Sequence, residues 1–118
     1  MREPPAIDAI GQGGFRVAGV WRPGSLLIVG DVPASWRPRL LDELTVDDLG
    51  PVLAAQPGAL EFVVLGTGQS QALPPRPVRE ALRAGGLGLE FMATRAAARL
   101  HNVLASEGRL FATALIAI

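Results

Sequence analysis

Two stretches of this sequence carry residue types and spacings that could bind or transform a ligand: a glycine loop and the beginning of a helix. The loop is Gly66-Thr67-Gly68, which follows the apolar residues 60–65. That run predicts a strand, and open α/β sheets bind ligands at the carboxyl ends of their strands. The loop lacks the dinucleotide-binding pattern, because Gln71 stands at the third glycine position and the next helix starts only after Pro74-Pro75. The sequence leaves a binding loop and an ordinary glycine turn open, and favours the turn.

The second stretch is a predicted helix that begins at Thr94 and is closed by Gly108. Arg95 and Arg99 stand four residues apart in its first turns, where the helix dipole disfavours cations. Glu107 stands in the last turn, where the dipole disfavours anions. Each placement opposes the helix by a few tenths to about 1 kcal/mol. Such charges require compensation from elsewhere in the fold or from a ligand.

Two sources of compensation are compatible with the sequence. A small anion could contact the loop, the helix start and the polar stripe that Asn102 continues. Alternatively, Glu61 and Glu90 on the neighbouring strands could pair with the arginines, and this second interpretation is favoured. If the binding interpretation holds, the site residues are Gly66, Thr67, Gly68, Thr94, Arg95, Arg99 and Asn102.

The amino-acid composition excludes several chemistries. The chain has no cysteine and no lysine, so it can form neither a disulfide, a thiolate nucleophile, a Schiff base nor a Walker P-loop. His101 is the single histidine, which rules out a two-histidine metal site within one chain. No carboxylate is nominated as its catalytic partner. The sequence therefore predicts no metal or cofactor and favours a protein that is not an enzyme.

Length, charge and hydropathy limit the class of protein further. With 118 residues the chain is predicted to be a single domain, residues 1–118, whose first six residues are a flexible lead. The formal net charge is zero, which gives no electrostatic basis for binding nucleic acid, and no apolar run approaches the ~20 residues of a membrane span. The N-terminus has no signal-peptide pattern, so a cytoplasmic location is expected. The positive mean hydropathy and two tryptophans predicted to be exposed, Trp21 and Trp36, indicate a homodimer.

The order of apolar runs predicts an α/β fold. Strands near residues 61–66, 87–92 and 109–117 alternate with helices that contain Val78 and Leu100, as in βαβ units. These strands should be neighbours in a mostly parallel sheet, with the last strand inside it. Residues 7–10, 15–21 and 26–29 predict an N-terminal β-meander. Residues 31–44 read as irregular, and residues 45–58 as two helical pieces kinked at Gly50-Pro51.

Several segments, taken together in order, resemble a known family. They are Gly11 to Phe15, Gly19, residues 24–28, Trp36, Leu44-Thr45, the Gly66-Thr67-Gly68 loop, residues 73–75, residues 90–104 and Glu107-Gly108-Arg109. In these segments the chain resembles the small proteins related to mitochondrial complex I assembly factor 3. The resemblance implies a three-layer α/β domain with a central mixed sheet, helices packed on it and an additional β element. It also implies that the protein binds a protein partner.

Three positions depart from the pattern that the resemblance implies. Ala93 stands where many members of that family carry Asp, Ala98 where many carry Cys, and His101 where Tyr is usual. If that Asp or Cys were catalytic in the relatives, this chain would lack the chemistry. The leading hypothesis is a non-enzymatic, assembly-factor-like interaction protein. The alternative is a small-molecule or anion-binding domain, or an enzyme of unknown class, that uses the glycine loop and the Thr94 helix start.

Overall fold

Two β-sheets organise the part of the chain that the computed structural model describes, residues 4–118. The first half of the predicted flexible lead, residues 1–3, lies outside the described residues. A three-stranded antiparallel sheet and a five-stranded sheet follow each other along the chain. The small sheet consists of β1 (Ile7–Gly11), β2 (Gly14–Val17) and β3 (Val20–Pro23). The central sheet consists of β4 (Ser25–Val29), β5 (Val32–Trp36), β6 (Phe62–Gly66), β7 (Gly88–Met92) and β8 (Phe111–Leu115).

The central sheet has the strand order β5-β4-β8-β6-β7. Strand β6 runs parallel to both β7 and β8, and β4 runs antiparallel to β8 and β5. The three strands predicted to be neighbours are neighbours, and β8 lies in the middle of the sheet. All five residues of β8 are buried, as a strand covered on both faces requires. The predicted fold class is therefore confirmed.

Helices cover the central sheet on both faces and give the molecule three layers. The helices are α1 (Gly50–Leu53), α2 (Arg76–Ala84) and α3 (Thr94–Ser106), and short 3₁₀ turns span Leu41–Glu43 and Val46–Leu49. One core lies between the sheet and α1, α2 and the 3₁₀ turns; its buried residues include Val52, Val78 and Leu82. The other core lies between the sheet and α3 together with the small sheet. Side chains of β8 alternate between the two cores.

The N-terminal segment is divided differently from the prediction. Residues 15–21 form two strands, β2 and β3, joined by a turn at Ala18-Gly19 with φ of 48° and 81°. Both turn residues have positive φ, the combination that type I′ hairpins need. Residues 26–29 belong to β4 of the central sheet and are not part of the meander. The alternation of apolar and polar residues continues unchanged through Ala18-Gly19, so the sequence pattern did not indicate a turn there.

The segment predicted to be irregular, residues 31–44, contains edge strand β5 and a 3₁₀ turn. The prediction that Trp36 is exposed is wrong. Its side chain is 7% exposed, and its indole Nε1 donates to the Asp48 carbonyl oxygen at 2.8 Å. The two helical pieces predicted for residues 45–58 are present as a 3₁₀ turn followed by α1, with Pro51 in the first turn of α1.

Candidate functional site

The Gly66-Thr67-Gly68 loop and the start of α3 lie in direct contact at the carboxyl ends of β6 and β7. The Thr67 amide donates to the Met92 carbonyl oxygen at 2.8 Å, and the Thr94 amide donates to the Gly68 carbonyl oxygen at 2.9 Å. In return, the Gly68 amide donates to Thr94 Oγ1 at 3.0 Å. The structure thus brings together the four residues Gly66, Thr67, Gly68 and Thr94, as the parallel arrangement of β6 and β7 predicts.

Gly66 allows this close approach. A Cβ atom at Gly66 would lie 2.8 Å from Thr94 Oγ1 and 2.9 Å from Thr94 Cα. It would also lie 2.8 Å from Leu115 Cδ2 of β8. Contacts that short do not occur between real atoms without displacement, so α3 can start against the loop only because residue 66 has no side chain.

The hydroxyl groups of the loop and helix start are occupied by internal hydrogen bonds. Thr94, with 0% of its surface exposed, donates from Oγ1 to the Ile116 carbonyl oxygen at 2.8 Å. Thr67, with 6% exposed, donates from Oγ1 to the Ser70 carbonyl oxygen at 2.7 Å and accepts from the Ala72 amide at 3.2 Å. These contacts fix the loop to the sheet and to α3.

The outer side of the same helix start has backbone amides and arginine side chains without internal partners among the described residues. Ala93 is the N-cap residue of α3 and provides no side-chain cap. Within residues 4–118 the amides of Arg95 and Ala96 have no hydrogen-bond acceptor. Arg95 and Arg99 are exposed, and no carboxylate of the described residues lies within ion-pair distance of either guanidinium. The favoured compensation by Glu61 or Glu90 is therefore not found among the described residues.

Asn102 lies apart from the loop, about 12 Å further along α3 at 1.5 Å per residue. Its Nδ2 donates to the Ile7 carbonyl oxygen, and its Oδ1 accepts from the Ile7 amide, both at 2.9 Å. The amide side chain thus forms the same pair of hydrogen bonds as a neighbouring strand would, and attaches the small sheet to α3. The structure does not bring Asn102 together with the other predicted site residues.

His101 is fully buried and belongs to a polar contact that sequence reasoning missed. Its Nε2–H donates to the Pro5 carbonyl oxygen at 2.8 Å, so Nδ1 accepts from the Thr113 hydroxyl at 2.7 Å. Burial lowers the pKa of the imidazole, and the bond to Pro5 opposes this only in part. A threonine inside an otherwise apolar strand was the available signal, because a buried hydroxyl requires a partner.

The three departures from the family pattern occupy structural positions. Ala93 is the N-cap of α3, where an aspartate would accept hydrogen bonds from the free amides. Ala98 is 2% exposed and packs in the core under α3. His101 bridges Thr113 and Pro5 as described above.

A carboxylate with a shifted pKa also serves the fold. The Asp48 side chain accepts from Arg37 Nε at 2.8 Å and Nη2 at 2.7 Å. This hydrogen-bonded guanidinium lowers the pKa of Asp48 to about 2, although burial opposes the change. The Thr45 amide and hydroxyl donate to the same carboxylate at 2.9 Å and 3.0 Å. The cluster holds the end of β5 against the 3₁₀ turn Val46–Leu49.

Several cavities among the described residues lie away from the predicted site, two of them with volumes of about 300 and 510 Å³. One, of about 300 Å³, opens at the amino ends of β6 and β8 and is mainly apolar, with Arg109 as its cation. Its lining residues are Pro4, Val29, Gly30, Ala55, Ala59, Leu60, Arg109, Leu110 and Phe111. The Arg109 guanidinium lies 5.4 Å from the centre of the Phe62 ring. The second, of about 510 Å³, is a groove between α2 and the edge strand β7.

Among residues 4–118, no group of three His, Asp or Glu side chains is arranged to hold a metal ion. Within the same residues no helix has the length and apolar character needed to cross a membrane.

These features define a small three-layer α/β domain in which the buried polar residues Ser25, Thr67, Thr94 and His101 bond to the domain's own backbone. The family model described as a protein of unknown function (DUF498/DUF598) matches residues 7–116. The chain belongs to this family.

Curated relatives confirm the resemblance. An uncharacterised protein of Rhodobacter capsulatus is 37% identical over 110 residues, which cover 93% of this chain and 82% of that protein. The mouse NADH dehydrogenase [ubiquinone] 1 alpha subcomplex assembly factor 3 is 29% identical over 111 residues, covering 93% of this chain and 59% of that protein. The chain thus spans about three fifths of the length of the mouse assembly factor.

Solved structures share the whole fold. A protein of Bordetella parapertussis superposes with a TM-score of 0.86 at 30% identity, covering 98% of each chain. A protein of Bartonella henselae described as an outer membrane protein superposes with a TM-score of 0.85 at 30% identity, covering 98% of this chain and 97% of that one.

Proposed function

We propose that this protein is a non-enzymatic, assembly-factor-like interaction protein that binds a protein partner. One observation carries the proposal: the side chains best suited to chemistry are occupied inside the fold. Thr67, Thr94 and His101 each bond to backbone carbonyl oxygens. Asn102 bonds to the backbone of Ile7. The assembly-factor relatives support the same kind of role.

We place the contact with the partner on the outer side of the helix start, called here the arginine surface and defined by Gln69, Ser70, Arg95 and Arg99. All four residues are exposed. Two guanidiniums without a carboxylate among the described residues favour a partner that presents acidic side chains. The rigid contact between the loop and α3 supports this, because it fixes the surface before the partner arrives.

The test is partner capture with charge reversal. Arg95→Glu with Arg99→Glu should abolish capture of a specific protein by the full chain, because a surface of the wrong sign repels acidic groups. Arg16→Glu is the matched control: Arg16 is also exposed but lies on β2 of the small sheet. Capture that survives the double reversal would refute the arginine surface. Turnover of a substrate by the purified protein would refute the non-enzymatic role.

A second candidate is the binding of a small anion at the same helix start, using the Arg95 guanidinium and the free amides of Arg95 and Ala96. Free amides and the helix dipole favour anions at such a position. Phosphate or acetate titrated into ¹⁵N-labelled protein should then shift the Arg95 and Ala96 amide signals, and Arg95→Ala should weaken this binding. Since no described carboxylate contacts Arg95, the variant should keep or gain stability in anion-free buffer. Absence of shifts would end this candidate.

We also infer that the protein is a cytoplasmic homodimer. The homodimer is supported by the exposed edge strand β3, where Val20 is 59% and Trp21 46% exposed. Sedimentation should show a dimer at micromolar concentrations, and Trp21→Ser should shift it towards monomer. A monomer at every concentration would contradict the inference.

The absence of cysteine is compatible with the cytoplasmic location. Fractionation of native cells would refute that location if the protein were found with membranes.

A further inference from the structure

Strand β7 is an edge of the central sheet, and its outer side offers backbone groups for pairing. The Gly88 amide donates to Glu61 and the Met92 carbonyl oxygen accepts from Thr67, so Gly88 and Met92 direct their backbone groups towards β6. Because strand residues alternate, Leu89 and Phe91 direct theirs outward. Among the described residues, the contact to these outward groups is one hydrogen bond, from Gln71 Nε2 to the Phe91 carbonyl oxygen at 3.2 Å.

The groove beside this edge is positively charged. Arg79 and Arg83 of α2 line its wall, and Leu89 and Phe91 line its floor, in a volume of about 510 Å³. Arg79 donates from Nε to the Pro74 carbonyl oxygen at 3.0 Å, which leaves its terminal nitrogens free to contact a ligand. Arg83 is exposed and has no ion pair with a described carboxylate. The nearby Glu80 is paired with Arg76 at 2.8 Å instead.

We propose that this groove takes an extended acidic segment of a partner protein, which adds a strand to β7 and pairs its carboxylates with Arg79 and Arg83. This mode of binding combines main-chain hydrogen bonds with side-chain selection. It rests on the proposed function, since it assumes that the protein binds another protein, but it uses a different surface.

A second copy of this chain fits the edge less well. Pairing of β7 with β7 would bring the arginines of two copies towards each other, and like charges at an interface disfavour association. Glu90, exposed on the opposite face of β7, disfavours acidic side chains there. The acidic residues of the added strand should therefore lie on the α2 side only, in alternate positions.

The probe is a seven-residue peptide of alternating glutamate and threonine, acetylated and amidated, titrated into the ¹⁵N-labelled full chain. We expect shifts of the Leu89 and Phe91 amide signals. Arg79→Gln with Arg83→Gln should weaken binding roughly tenfold. Arg16→Gln, on β2 of the small sheet, should leave it unchanged. Gln71→Ala should keep or tighten it, because the Phe91 carbonyl oxygen becomes free.

Two N-methylated peptides test the backbone contacts. One is methylated at every glutamate and the other at every threonine, so each removes alternate N–H donors. If the peptide binds as an added strand, one methylated peptide should still bind and the other should not, because only alternate residues direct their N–H groups towards β7. Equal binding of both, or no shifts at Leu89 and Phe91 with millimolar peptide, would overturn the proposal.

Two other results would also overturn the proposal and identify the competing site. Shifts confined to Arg95 and Ala96 would place the acidic peptide on the arginine surface. Leu89 and Phe91 signals that move with protein concentration alone would indicate a second copy on the edge. Failure of the peptide leaves the partner-capture test of the proposed function unaffected, because that test depends on Arg95 and Arg99.

Discussion

At the scale of single residues, a buried imidazole connects three separate parts of the chain. His101 of α3 contacts Thr113 of β8 and Pro5, which precedes β1. Its ring also lies edge-on to Phe111, with the ring centres 5.5 Å apart. Burial disfavours the charged form of the imidazole and lowers its pKa, and in the neutral ring Nδ1 accepts from the Thr113 hydroxyl. This residue should therefore make the stability of the whole molecule depend on pH.

We expect the free energy of unfolding to be highest above about pH 6.5, the ordinary pKa of histidine, and to fall as the pH decreases below it. In that range the unfolded chain binds a proton that the folded chain does not, so stability decreases by up to about 1.4 kcal/mol per pH unit until the lower folded pKa is reached. Urea unfolding between about pH 8 and pH 5 measures this slope. His101→Gln should remove it, and a slope that persists in this variant would contradict the assignment. Asp48, with its pKa lowered to about 2, adds to the pH slope only below its ordinary value of 3.8, where the stability that its ionised form provides begins to be lost.

The missing side chain of Gly66 gives a second residue-scale prediction. Gly66→Ala should lower the free energy of unfolding by about 1–3 kcal/mol, because the added methyl group overlaps Thr94 and Leu115. Gly85→Ala is the matched control: its nearest neighbours would lie 3.5 Å from the new Cβ, and its φ is −80°. That variant should remain within about 0.5 kcal/mol of the parent. Equal effects of the two changes would show that the close approach at Gly66 is unimportant.

At the scale of elements, α3 begins without a cap. Ala93 has the extended backbone of an N-cap residue, with φ −55° and ψ 147°, but no oxygen to accept from the first-turn amides. Ala93→Asp should therefore raise the free energy of unfolding by about 0.5–2 kcal/mol through capping and the helix dipole. Thermal and urea unfolding measure the gain.

Ala93→Asn separates the two contributions, because it caps the helix without adding charge. It should keep most of the gain, and added salt should reduce only the excess of Asp over Asn. If Ala93→Asp is no more stable than the parent, the amides of Arg95 and Ala96 are satisfied by water at no cost and the argument for a deficient helix start is wrong.

At the scale of the whole molecule, β8 holds the central sheet together. It lies between β4 and β6, so the β5-β4 hairpin and the β6-β7 pair have no strand contact with each other except through it. Removing residues 109–118 should abolish cooperative unfolding and amide dispersion. Removing only 117–118 should leave a folded but less stable protein, since it deletes the bonds of the Ala117 amide to Ser25 and of the Gly13 amide to the Ile118 carbonyl oxygen. A cooperative unfolding transition in the chain that lacks residues 109–118 would refute the central role of β8.

Sequence reasoning placed β6, β7 and β8 of the central sheet correctly. Burial on both faces gives β6 and β8 a strong compositional pattern, whereas edge strand β7 has only a short apolar run that the exposed Glu90 interrupts. The Ala18-Gly19 turn was missed since the apolar alternation passes through it unchanged. Trp36 was misplaced because nothing in its local sequence indicates that Asp48, twelve residues later, presents a carbonyl oxygen to its indole.

The positions that strand direction determines in the candidate site were predictable from the sequence. The hydrogen-bond partners of its side chains were not. Parallel β6 and β7 require the Gly-Thr-Gly loop to lie beside Thr94, and it does. The engagement of Asn102 with Ile7, 95 positions earlier, depends on how the small sheet docks on α3. No spacing pattern within one element encodes such a contact.

The central position of β8 also determines the order in which the protein can fold during synthesis. Strands β4 and β6 leave the ribosome before β8, the strand that lies between them. Each of them therefore has one unpaired edge until β8 emerges. Open edges of apolar strands are sites of mispairing and aggregation. Until residue 115 emerges, the two edges that β8 later covers are therefore open to mispairing.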